Sequence, residues 1–153
     1  MRKPITGSRF LTGAPPENQG IQLYAEDDGT IVIPVMLDQR HEGPPGYVHG
    51  GFSAALIDEA MGGAVWHAGL QVVAVKLDFN LRAPVPLGVE VTVRGRVDRI
   101  EGRKVFATGE ITLPDGQIAV DGQGIFVEAP HLFKGDVYFG SAFRSSDEPA
   151  DAE

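Results

Sequence analysis

Between Gly43 and Gly69 the chain reads GPPGYVHGGFSAALIDEAMGGAVWHAG, and this stretch constrains the fold more than any other. A Pro/Gly loop passes through His49-Gly50-Gly51 into a segment of helical length that is apolar on nearly every side. A helix hydrophobic all round is buried rather than laid on a surface. Yet Asp58 and Glu59 stand side by side at its middle. Burying a carboxylate is costly unless it is paired or its pKa shifts. The pair therefore marks a place where chemistry or structure compensates that cost.

At about 100° per residue, Asp58 shares its helix face with Gly51, Ala54, Ala55, Met61, Gly62 and Val65. That face is mostly small, so a backbone or a ligand can approach it closely. Glu59 lines up with Phe52, Leu56, Gly63 and Trp66, a bulkier face suited to packing on a sheet. Asp58 has no cation at i±3 or i±4 to make a structural pair, whereas a structural hydrogen bond or a partly exposed site accounts for Glu59. The helix start at Gly50-Gly51 offers unpaired N–H groups and a dipole that favours a negative oxygen. Acyl transfer needs such donors where an oxyanion develops, plus a carboxylate as base or nucleophile.

The rest of the composition narrows the class. A chain of 153 residues fits one domain with its own core. A net charge of −8 argues against general nucleic-acid binding, which needs a basic footprint. There is no cysteine, which removes disulfides, thiol catalysis and Cys-type metal sites. His41 and His67 read as loop or surface residues, no spacing suggests a metal site, and Trp66 reads as core. No apolar run reaches about 18 residues, so no membrane span is expected. The start MRKPITGSRF has no apolar run after its charges, so a leader peptide is not expected and a cytoplasmic location is the default.

Residues 1–19 read as an irregular lead-in, 20–140 as the folded domain, and 141–153 as a disordered acidic tail. IQLYAE, the turn DDG and TIVIPVML form a hairpin, with Pro34 marking an edge or a bend. After the helix, VVAVKLDFNLR alternates cleanly, with Val73, Val75, Leu77, Phe79 and Leu81 on one face. VEVTVRGRVDRI, the turn I-E-G-R, KVFATGEITL, the turn PDGQ and IAVDGQGIFVE complete a four-stranded antiparallel meander. Gly122 and Gly124 mark a bulge or bend. The pattern is α+β: an antiparallel sheet wrapped around one long helix.

GPPGYVHGG, the nine-residue step from His49 to Asp58, and LRAPVPLG after the next strand resemble the hotdog-fold acyl-CoA thioesterases, nearest the phenylacetate-pathway and 4-hydroxybenzoyl-CoA type. The resemblance spans roughly residues 18–128. It implies hydrolysis of an acyl-CoA thioester, with no metal or organic cofactor beyond coenzyme A itself. It places Asp58 as general base or nucleophile, Gly50 and with it Gly51 as N–H donors to the thioester carbonyl, and His49 as the residue that orients the loop or contacts substrate. Two positions depart from the family pattern. Ala74 stands where Ser or Thr is usual, and Gly43 where Asn or Gln is usual, with Gln39, His41 or Glu42 as stand-ins for the latter. The same fold also hosts non-catalytic acyl-CoA binders and hydratases, which are the alternative readings.

Arg94, Arg96, Arg99, Arg103 and Lys104 form a basic cluster in an acidic chain. They read either as a solvated hairpin or, with the resemblance, as a substrate site in which Arg99, Arg103, Lys104 and Arg82 meet coenzyme A phosphates. Helix geometry adds one expectation. His49 and Asp58 project from opposite sides of the helix, about 13 Å apart along its axis. Reacting atoms must come within about 3–3.5 Å. If both serve one site, two chains must supply them across antiparallel helices, so the expected state is a homodimer or a dimer of dimers.

Overall fold

The computed structural model describes residues 1–12 and 19–133. Helix α1 spans Gly50–His67, with His49 as N-cap. It ends where Gly69 takes φ +92°, a left-handed position that ends helices and favours glycine. Its sheet-facing stripe is Ser53, Leu56, Ile57, Ala60, Met61 and Ala64, every one buried. Burying Leu56 or Ile57 fully is worth about 1.5–3 kcal/mol each.

The strands are β1 (Lys3–Ile5), β2 (Leu23–Ala25), β3 (Ile31–Met36), β4 (Val72–Leu81), β5 (Glu90–Glu101), β6 (Lys104–Thr112) and β7 (Ile118–Glu128). They form one seven-stranded sheet in the order β1-β2-β3-β5-β6-β7-β4. Every pairing is antiparallel. The sheet carries α1 on one face, which is the hotdog architecture expected. Two details differ from the sequence reading. Only β5, β6 and β7 form a meander, because β4 leaves the helix and pairs with β7 at the far edge. The lead-in is not wholly irregular either, since Lys3–Ile5 pairs with Leu23–Ala25. The proposed tail, 141–153, lies outside the described residues.

No register shift falls at Gly122 or Gly124. Gly95 of β5 faces Gly109 of β6, which faces Gly122 of β7, a straight row across three strands. A Cβ at Gly95 would stand 2.3 Å from the Ala60 carbonyl carbon, and one at Gly109 or Gly122 would press on Ile57 at 2.8 or 3.0 Å. The row is a trough in which the middle of α1 lies against bare backbone. Gly124 serves the same end, with a Cβ there 3.2 Å from Met61 Cε.

Register shifts occur at Asp98 of β5 and Ala119 of β7, and the one nearest the helix end lies in β4, between Ala74 and Lys76. It breaks the predicted alternation. Ala74 pairs with core residue Phe126, while Leu77 and Phe79 pair with Gly124 and Gly122 on the helix side. Val75 is the inserted residue and is 59% exposed, and Leu81 is 60% exposed. An edge strand with open apolar side chains beside a small-residue helix face is an unfinished surface.

Candidate active site

The loop before α1 is stitched in place by backbone. His49 N–H donates to the His41 carbonyl at 2.7 Å, Val48 N–H to Val85 at 2.9 Å, and Leu87 N–H to Gly46 at 3.1 Å. Gly43 lets this loop double back, since a Cβ there would meet His49 Cα at 2.7 Å. The chain after β4 therefore braces the helix start.

His49 caps the helix: its Nδ1 accepts the Gly51 N–H at 3.0 Å. That bond settles which donor is open. The Gly51 N–H is occupied, against the expectation that it joins Gly50, whereas the Gly50 N–H has no acceptor among the described residues. Gly50 borders a cavity of about 550 Å³ that also meets Val48, Leu81, Ala83, Val85 and Val120, a mostly apolar lining. Ser53, which was not among the sequence candidates, reaches the same cavity. Its signal was a lone hydroxyl three residues after Gly50 inside an apolar run.

Asp58 is half-buried and makes no hydrogen bond or ion pair with any described residue; burial alone pushes its carboxyl above the usual aspartate value of 3.8. Glu59 differs. Its oxygens accept the Ser8 N–H at 2.5 Å and the Ser8 hydroxyl at 2.8 Å. Burial raises Glu59 above 4.5, and the Ser8 bonds oppose that rise. So Glu59 holds the N-terminal segment and does not pack on the sheet, while Asp58 remains unengaged. Gly50 and Asp58 are eight residues apart on one helix, about 12 Å along its axis. One chain does not bring them together.

The other candidates fall in separate places. Arg82 stands at the cavity rim and pairs with Asp121, whose carboxyl it holds below the usual range together with Asn80. Arg99 is ion-paired to Glu101 and Asp98, both at 3.0 Å, and stacks 3.8 Å over the Phe106 ring. Arg103 donates to the Glu128 carbonyl at 3.0 Å, and Lys104 is exposed at the start of β6. This turn sits at the Val72 end of β4, the Gly50 cavity at the Leu81 end, about 30 Å away at 3.3 Å per residue. Of the upstream stand-ins, none lines the Gly50 cavity. Gln39 is exposed, and Glu42 accepts the Gly46 N–H at 3.0 Å. His41, expected at the surface, is buried at 5% exposure. Its Nδ1 accepts the Asp38 N–H, its Nε2 meets Gln19 Oε1 at 2.9 Å, and its ring stacks on Phe52 at 4.4 Å. Burial lowers its pKa, against the pull of Asp38, and so favours the neutral ring. Among the described residues no group of three or more His, Asp or Glu is placed to hold a metal, and no helix is long and apolar enough to cross a membrane.

A seven-stranded antiparallel sheet carrying one long helix, with a free N–H at the helix start opening on an apolar cavity, is a hotdog fold. The thioesterase superfamily family model matches residues 45–120. Over those residues, just under half of the chain, the sequence resembles the thioesterase superfamily. It is 38% identical over 89 residues to acyl-coenzyme A thioesterase THEM4 of Xenopus laevis, covering 57% of this chain and 40% of that protein. The chain thus spans about two fifths of that relative's length. A crystallised thioesterase superfamily protein is 36% identical with a TM-score of 0.72, covering 77% of this chain and 59% of its own. A Streptococcus pneumoniae thioesterase protein crystallised with coenzyme A shares the fold at 19% identity and a TM-score of 0.68, over 72% of this chain and 87% of that one.

Proposed function

We propose that this chain is an acyl-CoA thioesterase acting as a homodimer, with each site built from two subunits. The observation that carries this is the pairing of a free Gly50 N–H over an apolar cavity with an unpartnered, half-buried Asp58 on the small helix face. Antiparallel helices set side by side would bring Asp58 of the partner subunit to Gly50. The open β4 edge and the Gly51, Ala54, Ala55 and Gly62 face fit that approach. The THEM4 relatives, named as acyl-coenzyme A thioesterases, support the substrate class.

The thioester carbonyl oxygen accepts from the Gly50 N–H. Asp58 of the partner subunit, as general base, takes a proton from water while the water oxygen bonds to the carbonyl carbon. The tetrahedral oxyanion sits at the Gly50 N–H, in a site dry enough for one donor to count. Its collapse breaks the C–S bond, and the proton passes from Asp58 to the departing thiolate. Free carboxylic acid and coenzyme A result. Asp58 as nucleophile, through an anhydride, uses the same geometry. No metal or organic cofactor enters either route.

In such a dimer the partner's helix end lies about 13 Å beyond Gly50, nine residues past Asp58. The β5–β6 turn of that subunit then stands near the coenzyme, where the partner's Arg103 and Lys104 would meet its phosphates, with Arg82 of the first subunit at the cavity rim. One observation favours a second reading. Ala74 sits on the inner face of β4 without the hydroxyl usual there, which suits a binder that does not turn over.

The test is thiol release from short, medium, long and aromatic acyl-CoAs. Turnover is expected on at least one. Tight binding of every member without turnover would leave the binding reading instead.

A further inference from the structure

Of the polar side chains that line the Gly50 cavity, Arg82 is paired with Asp121 and Tyr47 is exposed at 41%, which leaves Ser53 as the buried one. Ser53 is 2% exposed. A helical serine commonly bonds back to the carbonyl four residues earlier. Here the His49 carbonyl receives the N–H groups of Phe52 at 2.9 Å and Ser53 at 3.1 Å, and the Ser53 hydroxyl bonds to no described residue. No side-chain oxygen among the described residues is both sealed in and unpartnered, so this one borders the open space of the cavity. Around it stand Val48, Leu81, Ala83, Val85 and Val120.

The chemistry of that arrangement discriminates between acyl groups. A plain alkyl chain filling the cavity displaces water from the hydroxyl and gives it nothing in return. A buried hydroxyl left without a partner weakens binding. An acyl group that carries its own oxygen at that level restores the bond. A site built around a hydrogen bond rejects the analogue that lacks it far better than an apolar pocket rejects an extra group. Ser53 lies three residues after Gly50, about 4.5 Å along the helix and about 60° around it. With the carbonyl held at Gly50, the hydroxyl faces the first few carbons of the acyl chain.

We propose that Ser53 is a specificity-determining residue that selects acyl thioesters bearing a hydroxyl or keto oxygen within the first few carbons, over unsubstituted chains of equal length. This deepens the thioesterase reading and rests on it for the position of the carbonyl.

The experiment compares 3-hydroxyacyl-CoA with the unsubstituted acyl-CoA of the same length, in wild type, Ser53→Ala and Ser53→Cys. The cysteine variant keeps the shape but is a weak donor, and melting curves establish that each variant is folded. Wild type is expected to favour the hydroxylated substrate in kcat/KM by about tenfold, the worth of one hydrogen bond, with the ratio falling toward one in both variants. A ratio unchanged by the substitutions overturns the proposal. So does a parallel loss on both substrates, which would make Ser53 a second donor to the carbonyl. If wild type hydrolyses neither substrate nor any member of the wider acyl-CoA panel, the thioesterase reading falls. Calorimetry with thioether analogues then decides the proposal: tighter binding of the hydroxylated analogue, lost in Ser53→Ala, sustains it, and equal affinities overturn it.

Discussion

The Glu59 carboxylate accepts both the backbone N–H and the hydroxyl of Ser8, at 2.5 and 2.8 Å, while Asp58 beside it accepts from no described residue. Two adjacent acids thus have opposite employment. One ties the N-terminal segment to the central helix, and Gly7 makes room, since a Cβ there would lie 2.4 Å from Glu59 Oε1. The other is left open on the small face.

Ser8→Ala removes one of the two bonds to a half-buried carboxylate and is expected to cost about 1 kcal/mol at pH 7. The sign with pH follows from Glu59. Burial raises its folded pKa above 4.5, so the charged form is the disfavoured one on folding. That penalty is absent below the unfolded pKa and complete above the folded one. Losing a Ser8 bond enlarges it. Urea unfolding at pH 7 and near pH 4 should show the cost of the substitution shrinking in acid; a pH-independent cost would mean that the bond does not act through the carboxylate.

Asp58→Asn should stabilise the protein and disable it. At neutral pH the unpaired carboxylate is held charged where burial disfavours charge, and the amide removes that penalty. A melting temperature higher by about 2–4 °C is expected at pH 7, with the difference vanishing below pH 3.8, where both folded and unfolded carboxyls are protonated. Thiol release should fall by about a hundredfold or more. In wild type the acid limb of kcat/KM should lie above the ordinary aspartate value. An active Asp58→Asn enzyme would remove this residue from the mechanism.

Gly62→Ala and Gly95→Ala separate the two faces of α1. A Cβ at Gly62 has only the Phe126 ring nearby, at 3.7 Å, so within one chain the change is tolerated and adds about 1 kcal/mol of helix propensity. On the proposed helix–helix contact it intrudes, so sedimentation should shift toward monomer with loss of activity. Unaltered assembly would place the contact elsewhere. A Cβ at Gly95 meets helix backbone at 2.3, 2.4 and 2.5 Å, and Gly95→Ala should cost about 3 kcal/mol or more in any assembly state.

Much of this fold is legible along the chain because periodicity is local. The apolar run of α1 and the alternation of β5, β6 and β7 depend only on near neighbours. The position of β4 does not, since nothing in VVAVKLDFNLR says whether it pairs with β5 or crosses to β7. The bulge at Val75 is hidden because its insertion leaves the alternation of residue types intact. Strand β1 has three residues with Pro4 in the middle, too few to show a period. At the site, Gly50 and Asp58 stood out by type and spacing. That His49 occupies the Gly51 N–H depends on one side-chain rotation, and the burial of His41 depends on Gln19 and Phe52 closing over it. Neither is written in a spacing.

The shared site is tested by mixing Asp58→Asn with His49→Ala, provided each homodimer is inactive. A mixed dimer holds one site with both groups intact and one with neither. Recovery toward half of wild-type activity is expected on co-refolding. A mixed dimer as inactive as its parents would confine each site to one subunit.

The glycine row also governs how the domain comes apart. Gly95, Gly109 and Gly122 put no side chain on the concave face, so three neighbouring strands lack lateral side-chain pairs there. Ile57 and Met61 of α1 fill the trough in their place. If the helix lifted away, the strands would keep their ladder but lose the atoms that make the concave face a core. The sheet therefore cannot outlast the helix as a partly folded species. Amide protons of α1 and of β5–β7 should exchange through the same global opening, with one shared protection free energy rather than a graded series.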